Sequence, residues 1–487
     1  MAEKRRASVL VIGAGMSGIC MAAKLRQAGI TDVTVLEKAS DVGGTWRDNR
    51  YPGLECDVPS AFYQYSFDRN PHWSRLFSHG PEIHRYLSGA VDRLGIRSLI
   101  RLNTAVVRAE FGNRQWHVDT DSGERLTADF LVSATGVLHH PVLPDIPGLD
   151  AFAGPWFHSA RWDHSADLAG KRVAVVGTGS TGAQITTALA GKVAHLDLYQ
   201  RTAQWVVPTP NWRTGKLTRL LRDRVPAASA LEYWLFKNGF AYLSKAVTEP
   251  GPHRRMLNRI CERNLRTVRD PLLRARMTPT YEPGCKRMVF SGGFYRSIQK
   301  PGVDVVTSGI DRIEPRGIVT DDKVMHPADV LVLATGFDAH AYLRPIELIG
   351  PGGRTLAEVW RDGPYSYRTV GLPGFPNFFM LMGPNSPIGN YSLIAIAEAQ
   401  AEFALRWITE WQRGRFRTAM PSAEATTRFN NLVRGALPNT VWASGCDSWY
   451  LGPDGTPELW PWNPRRHERM LARDHRTEYL LDADSVT

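Results

Sequence analysis

An α/β fold built from two doubly wound units is predicted by three observations. The order strand, glycine turn, helix, strand occurs twice. Each occurrence is answered further along by an apolar strand that ends in small residues. The chain's 487 residues also exceed what one ordinary core encloses.

The first unit opens with the apolar run Val9-Leu10-Val11-Ile12, followed by Gly13-Ala14-Gly15-Met16-Ser17-Gly18, an amphipathic stretch to Ala28, and the strand Val33-Thr34-Val35-Leu36-Glu37. This is a βαβ grammar. It returns at Arg172-Val173-Ala174-Val175-Val176, with Gly177-Thr178-Gly179-Ser180-Thr181-Gly182 and a helical stretch to Leu189. A G-x-G-x-x-G alone is weak evidence, but here each copy follows a strand and opens a helix, the setting in which glycines let a backbone approach a pyrophosphate. Two Rossmann-like dinucleotide-binding units are therefore expected. The answering strands are Phe130-Leu131-Val132-Ser133-Ala134-Thr135-Gly136 and Val330-Leu331-Val332-Leu333-Ala334-Thr335-Gly336, whose small ends admit a crossing backbone or a cofactor.

The two units differ where ribose would be read. The first ends its second strand in Glu37, nineteen residues after Gly18, a carboxylate suited to ribose hydroxyls and so to FAD or NAD. The second ends Leu196-Asp197-Leu198-Tyr199 in Gln200-Arg201-Thr202, where a guanidinium and a hydroxyl suit a 2′-phosphate and so NADPH. The expected organisation is an FAD-binding unit from residues 1–148 and 380–487 and an NADPH-binding unit from 149–210 and 277–379. Residues 211–276 form a helical insertion with an aromatic cluster at Tyr233, Trp234, Phe236, Phe240 and Tyr242. A turn at Gly383-Pro384-Asn385-Ser386-Pro387 and a long apolar helix are expected to complete the first unit.

Lysine and arginine exceed the acidic residues by 11, and the excess gathers between Asn211 and Arg276. No nucleic-acid motif surrounds it, so a solvated helical surface is expected there. No run of eighteen apolar residues occurs, and the apolar stretch Ser8 to Gly13 has the length of a strand, which predicts a soluble cytoplasmic protein without a membrane span. The five cysteines, Cys20, Cys56, Cys261, Cys285 and Cys446, are odd in number and far apart, without a C-x-x-C pair. They predict free structural thiols with no disulfide and no metal site.

Between the glycine motifs stand Phe152, Gly154, His158, Trp162 and Asp163, in the form F-x-G-x-x-x-H-x-x-x-W-D. Upstream, Gly44, Trp46, Tyr51-Pro52-Gly53 and Asp57 fit G-x-W-x-x-x-x-Y-P-G-x-x-x-D. The chain thereby resembles the type I Baeyer-Villiger monooxygenases, with motif order alike from Val9 to Trp449. That resemblance implies tightly bound FAD, NADPH, and insertion of one atom of O2 beside a ketone carbonyl through a C4a-peroxyflavin and a Criegee intermediate. It places the essential arginine at Arg287, positioned by Asp57, and a contact to the 2′-phosphate at Lys286. Trp449 falls near the nicotinamide end. His158 and Trp162 fall in the linker between the units, with a conformational role. Thr45, Trp46, Asp57, Tyr63, Val106, Gln184 and Thr202 join the glycine-turn residues as expected cofactor contacts.

The loop Gly452 to Pro461 departs from the N-[IV]-P-G-K stretch of cyclohexanone-type members and is expected to border the substrate pocket, where a bulky apolar ketone would suit the aromatic insertion. Three other readings compete. An S- or N-oxygenating flavin monooxygenase would not need Trp162 and Arg287, a disulfide reductase needs a cysteine pair at the flavin, and a flavin-binding sensor or scaffold would not need Arg287, Asp57 and His158.

Overall fold

The computed structural model describes residues 5–386 and 391–482. Two five-stranded sheets, parallel throughout, carry the architecture. In the first, the order across the sheet is Phe378–Met380, Phe130–Ser133, Ser8–Ile12, Asp32–Leu36, Ile100–Arg101. In the second it is Val303–Val306, His195–Tyr199, Arg172–Val176, Val330–Leu333, Trp156–His158.

A parallel strand covered on both faces is apolar along most of its length, which is why Val9–Ile12, Phe130–Val132, Val173–Val176 and Val330–Leu333 read as unbroken runs. Val9 and Val11 face the helices Met16–Gln27 and Leu393–Gln412, in a cluster with Ile19, Leu25, Ile394 and Phe403. Their neighbours Leu10 and Ile12 face the other way, onto Val106, Trp116 and Leu348 of a four-stranded sheet. The second unit repeats the division: Val173 and Val175 pack with Ile185 and Leu189, and Ala174 packs with Ile318 and Leu331. Each such buried aliphatic side chain contributes roughly 1.5–3 kcal/mol.

The insertion is helical as expected, with helices Lys216–Arg224, Pro226–Leu243, Lys245–Thr248, Pro252–Leu265 and Pro271–Arg276. Pro226, Pro252 and Pro271 each open a helix, where the missing N–H costs nothing. The chain's return to the first half starts before residue 380, because Glu347–Ile349 already pairs with Val106–Gly112 beside the first sheet. Three residues are too few to carry a periodicity, so nothing local announces this strand. Pro387 of the expected turn lies outside the described residues.

The cysteine expectation is corrected. Cys285 and Cys446 are disulfide-bonded across a separation of 161 residues, with Cα atoms 6.2 Å apart, while Cys20, Cys56 and Cys261 are buried free thiols. Spacing along the chain carries no information about a pair that only the tertiary fold brings together.

Candidate active site

One cavity of about 1640 Å³ runs between the ends of the two parallel sheets and is lined by both glycine turns. The turns are built alike. Gly13 has φ +101° and Gly177 has φ +113°, and a Cβ on either would stand 2.7 or 2.5 Å from the carbonyl oxygen of Ala134 or Ala334. Gly18 and Gly182 sit one turn later in their helices, where a Cβ would overlap the carbonyl oxygens of Gly13 and Gly177 at 1.8 and 1.9 Å. The third glycine of each motif thus serves the packing of turn against helix and does not line the cavity. Gly15, Ser17, Gly179, Ser180 and Thr181 do line it, at the amino ends of the helices Met16–Gln27 and Ser180–Leu189, where free N–H groups suit a pyrophosphate. Two such cradles in one cavity fit two dinucleotides.

Around the first cradle stand Glu37, Thr45, Trp46, Tyr63 and Val106, all at the cavity wall. Both oxygens of Glu37 are engaged: Oε2 accepts from Ala14 N at 2.8 Å, and Oε1 accepts from Ala39 N at 3.0 Å and from Arg47 Nη1 at 3.1 Å. The carboxylate therefore fixes the glycine turn as well as bordering the cavity. Trp46 Nε1 donates to the Tyr63 hydroxyl at 3.1 Å.

Around the second cradle Thr178, Gln184, Arg201 and Thr202 are joined by Lys286. The Thr178 hydroxyl donates to the Thr202 carbonyl at 3.0 Å, which ties the glycine turn to the end of the next strand. Burial holds the Lys286 ammonium below the ordinary lysine range; Asp447 opposes that shift and the nearby charge of Arg201 adds to it. Two cations bordering one cavity, neither in an ion pair among the described residues, suit an anion placed between them.

Where the two units meet, Arg287 Nη2 donates to Asp57 Oδ2 at 2.6 Å. The carboxylate raises the affinity of the guanidinium for its proton beyond the ordinary arginine value. The Arg287 side chain keeps 32% of its surface open, into the cavity, against 17% for Asp57. A permanent cation is thus presented to the space between the two cradles with its direction fixed. The Tyr450 hydroxyl also faces this guanidinium; burial pushes its pKa up to about 12, and Arg287 moderates the shift. Nothing in the sequence singles out Tyr450 beyond its place beside Trp449.

The Tyr51-Pro52-Gly53 segment acquires a physical reason. The Tyr51 hydroxyl donates to Gln184 Oε1 at 2.9 Å, and Gln184 Nε2 donates to the Glu55 carbonyl at 3.0 Å. Gly53, at φ +83°, lies so close to the second unit's helix that a Cβ would stand 2.6 Å from Gln184 O and 2.9 Å from Ala188 Cβ. The motif is the seam where the first unit presses on the helix of the second.

The linker placement changes. His158 and Trp162 lie outside the cavity lining, and His158 ends the edge strand Trp156–His158 of the second sheet. Its Nδ1 accepts from Ala160 N at 3.1 Å, and its buried Nε2 lies beside Gly336 with no hydrogen bond of ordinary geometry. Burial lowers its pKa. Trp162 packs on Phe157 at 4.9 Å, beneath that sheet. No residue of the loop Gly452 to Pro461 borders the cavity either. Glu458 of that loop instead takes His340 Nδ1 at 2.9 Å and the Tyr342 hydroxyl at 3.1 Å, while His340 Nε2 reaches the carbonyl of Trp449 at 3.1 Å. The loop braces the segment that presents Trp449, which does line the cavity.

Comparison with known proteins decides the family. The chain is 41% identical over 481 residues to a Baeyer-Villiger monooxygenase of Streptomyces coelicolor, covering 97% of this chain and 92% of that one. A Baeyer-Villiger monooxygenase of Pseudomonas aeruginosa is 36% identical over 493 residues, at 99% and 92% coverage. The chain belongs to the Baeyer-Villiger monooxygenases. An uncharacterized monooxygenase of Mycobacterium tuberculosis is 54% identical to this Baeyer-Villiger monooxygenase over 474 residues, at 97% and 96% coverage. Residues 10–217 match the family model described as pyridine nucleotide-disulphide oxidoreductase. Among solved structures, an oxidized steroid monooxygenase bound to NADP superposes with a TM-score of 0.89 at 30% identity, over 98% of this chain and 99% of that one. Cyclohexanone monooxygenase from Rhodococcus sp. Phi1 bound to NADP+ gives a TM-score of 0.87 at 32% identity, with 98% and 99% covered. The disulfide of this Baeyer-Villiger monooxygenase does not revive the reductase reading, because neither Cys285 nor Cys446 lines the cavity.

Proposed function

We propose that the chain converts a ketone to an ester or lactone with FAD held at the first glycine turn and NADPH at the second. Ketone, O2, NADPH and a proton give the oxygenated product, NADP+ and water. Bound FAD supplies the activation of O2, using the electron pair that NADPH delivers. The observation that carries this reading is the Arg287–Asp57 pair, open to the cavity between the two cradles.

The roles of individual residues follow from their places. Gly13, Gly15, Ser17 and Gly18 form the FAD pyrophosphate turn, with Glu37, Thr45, Trp46, Tyr63 and Val106 around it. Gly177, Thr178, Gly179, Ser180, Thr181 and Gly182 form the NADPH turn, with Gln184 fixing it against the first unit. Arg201, Thr202 and Lys286 take the 2′-phosphate, and Trp449 closes the nicotinamide end. Arg287 stabilises negative charge that develops on oxygen and draws its direction from Asp57. His158 supports the Thr335-Gly336-Phe337 turn from behind, ring to Phe337 ring at 5.8 Å, and Trp162 packs on Phe157 of the same edge strand, so that both act by positioning.

In this reading the FAD unit is residues 1–148 with the C-terminal return, and the NADPH unit is 149–210 with the chain from 277 through the strand Val330–Leu333. The setting is the cytoplasm, where NADPH is regenerated. A bulky apolar ketone suits the cavity's Val58, Phe290, Met382, Tyr391 and Leu393. The test is oxygen-dependent NADPH oxidation across small and polycyclic ketones, with product masses. A gain of one oxygen on a ketone supports the reading; oxidation of sulfides or amines with no ketone product overturns it.

A further inference from the structure

The basic insertion does more than present charge to water. Between residues 211 and 276 stand fifteen lysines and arginines against five acidic residues, nearly the whole of the chain's excess of 11. The same stretch bares its large apolar side chains. The helix Lys216–Arg224 buries none of its residues, although Leu217, Leu220 and Leu221 are three of its nine. On the following helix, Pro226–Leu243, the residues Leu231, Trp234, Leu235, Tyr242 and Leu243 recur at helical spacing along one face. All eight of these side chains are between 46% and 79% exposed.

That second helix is apolar on its other face too. Tyr233 and Ala241 are buried in the main core, with Phe236 and Phe240 packed against it. A helix apolar all round belongs inside a protein or against an apolar medium. Contiguous exposed apolar surface with a polar rim marks a contact. Lys216 and Arg224 flank the patch with no ion pair among the described residues, whereas Arg222 is held by both oxygens of Glu232 at 2.8 and 2.6 Å. Leucine and tryptophan on one face with basic residues at its margin is the composition of a helix lying in a membrane interface. No helix among the described residues is long and apolar enough to cross a membrane, so the contact is with a surface.

We propose that the helices Lys216–Arg224 and Pro226–Leu243 dock the enzyme on a bilayer bearing anionic headgroups. The leucines and Trp234 enter the acyl boundary, and the arginines and lysines meet the phosphates. The opposite face of the same helix backs the cavity wall. Tyr233 lies 5.5 Å from Phe62, and Phe62 lies 4.9 Å from Tyr391, which lines the cavity. Resting on the proposed ketone reading, this puts the substrate site one layer of side chains from the lipid in which an apolar ketone dissolves.

The experiment is co-sedimentation of the FAD-loaded full chain with vesicles of phosphatidylcholine, or of phosphatidylcholine mixed with phosphatidylglycerol, at low and high salt. Binding is expected only to the mixed vesicles, weakening with salt. The variant Leu231→Ser/Trp234→Ser/Leu235→Ser is expected to bind them at least ~10-fold more weakly. A second variant, Lys216→Glu/Arg224→Glu, should do the same without touching the apolar stripe. Flavin content and NADPH oxidation with a small water-soluble ketone should match the wild type in both, so failed turnover on every ketone would sink the ketone reading and leave the docking result standing. Wild-type protein that stays in the supernatant at low salt, or variants that pellet like the wild type, overturn the proposal. A wild-type dimer that the serine variant converts to monomer, without vesicle binding, assigns the face to self-association instead.

Discussion

Arg287 and Arg201 are both cations at the wall of one cavity, and their surroundings set them to different tasks. Asp57 at 2.6 Å fixes the direction of Arg287, so its charge is in place before the reaction needs it. Removing one preorganised donor of this kind typically costs about 2.7–4 kcal/mol, two to three decades in rate. Arg287→Ala should therefore keep FAD and still accept electrons from NADPH, yet consume oxygen without forming ester. Product yield per NADPH oxidised is the measurement, and an unchanged yield would remove Arg287 from the reaction. Asp57→Ala should give a milder loss, because it frees the arginine without deleting it. Arg201 has no ion-pair partner among the described residues and shares its neighbourhood with Lys286. A charge-assisted contact of about 1.5–3 kcal/mol predicts a roughly ten- to hundredfold rise in KM for NADPH in Arg201→Ala. KM for NADH should hardly move, and an equal rise for both cofactors would show that the 2′-phosphate lies elsewhere.

At the scale of elements, two contacts hold the site together, and each makes a prediction. The seam at Gly53 leaves no room for a side chain, and its left-handed φ adds its own cost. Gly53→Ala should destabilise the fold by about 1–3 kcal/mol, read as a lower denaturation midpoint, with KM for NADPH raised as the helix Ser180–Leu189 is pushed away. The brace from Glu458 through His340 to the carbonyl of Trp449 depends on pH. The hydrogen bond to Glu458 raises the His340 pKa above the ordinary histidine value. The contact is thus fully present below about pH 6.5 and is lost as pH rises through the higher value of the folded chain. Thermal stability should step down over that window in the wild type and lose the step in His340→Gln; parallel curves would mean that the brace does not titrate there. Neither contact could be read from the sequence as a contact. Tyr51-Pro52-Gly53 was visible only as a pattern, and His340 and Glu458 stand 118 residues apart with no motif between them.

Across the whole molecule, what the sequence revealed was what is local. The glycine turns, the apolar strands and the helices that follow them have causes close by in the chain, and the site residues of those turns other than Gly18 and Gly182 border the cavity. What it concealed depends on distant partners: the bond between Cys285 and Cys446, the early return strand Glu347–Ile349, and the retreat of His158 and Trp162 behind the cavity wall. The disulfide joins the segment that carries Lys286 and Arg287 to the one that carries Trp449. Cys446→Ser should lower stability by roughly 2–4 kcal/mol, the typical loss for a disulfide, and at most about the 5 kcal/mol that the chain-entropy account gives a loop of this length. A thiol reductant should reproduce that loss in the wild type and do nothing further to the variant; a variant as stable as the wild type would show the bond to be dispensable. The seam at Gly53 also bears on heredity. A larger residue at 53 is tolerable only where 188 shrinks or the helix that carries Gln184 moves outward. Among descendants of a common ancestor, positions 53 and 188 should therefore change together or not at all, leaving in the lineage a record of two folds pressed into one.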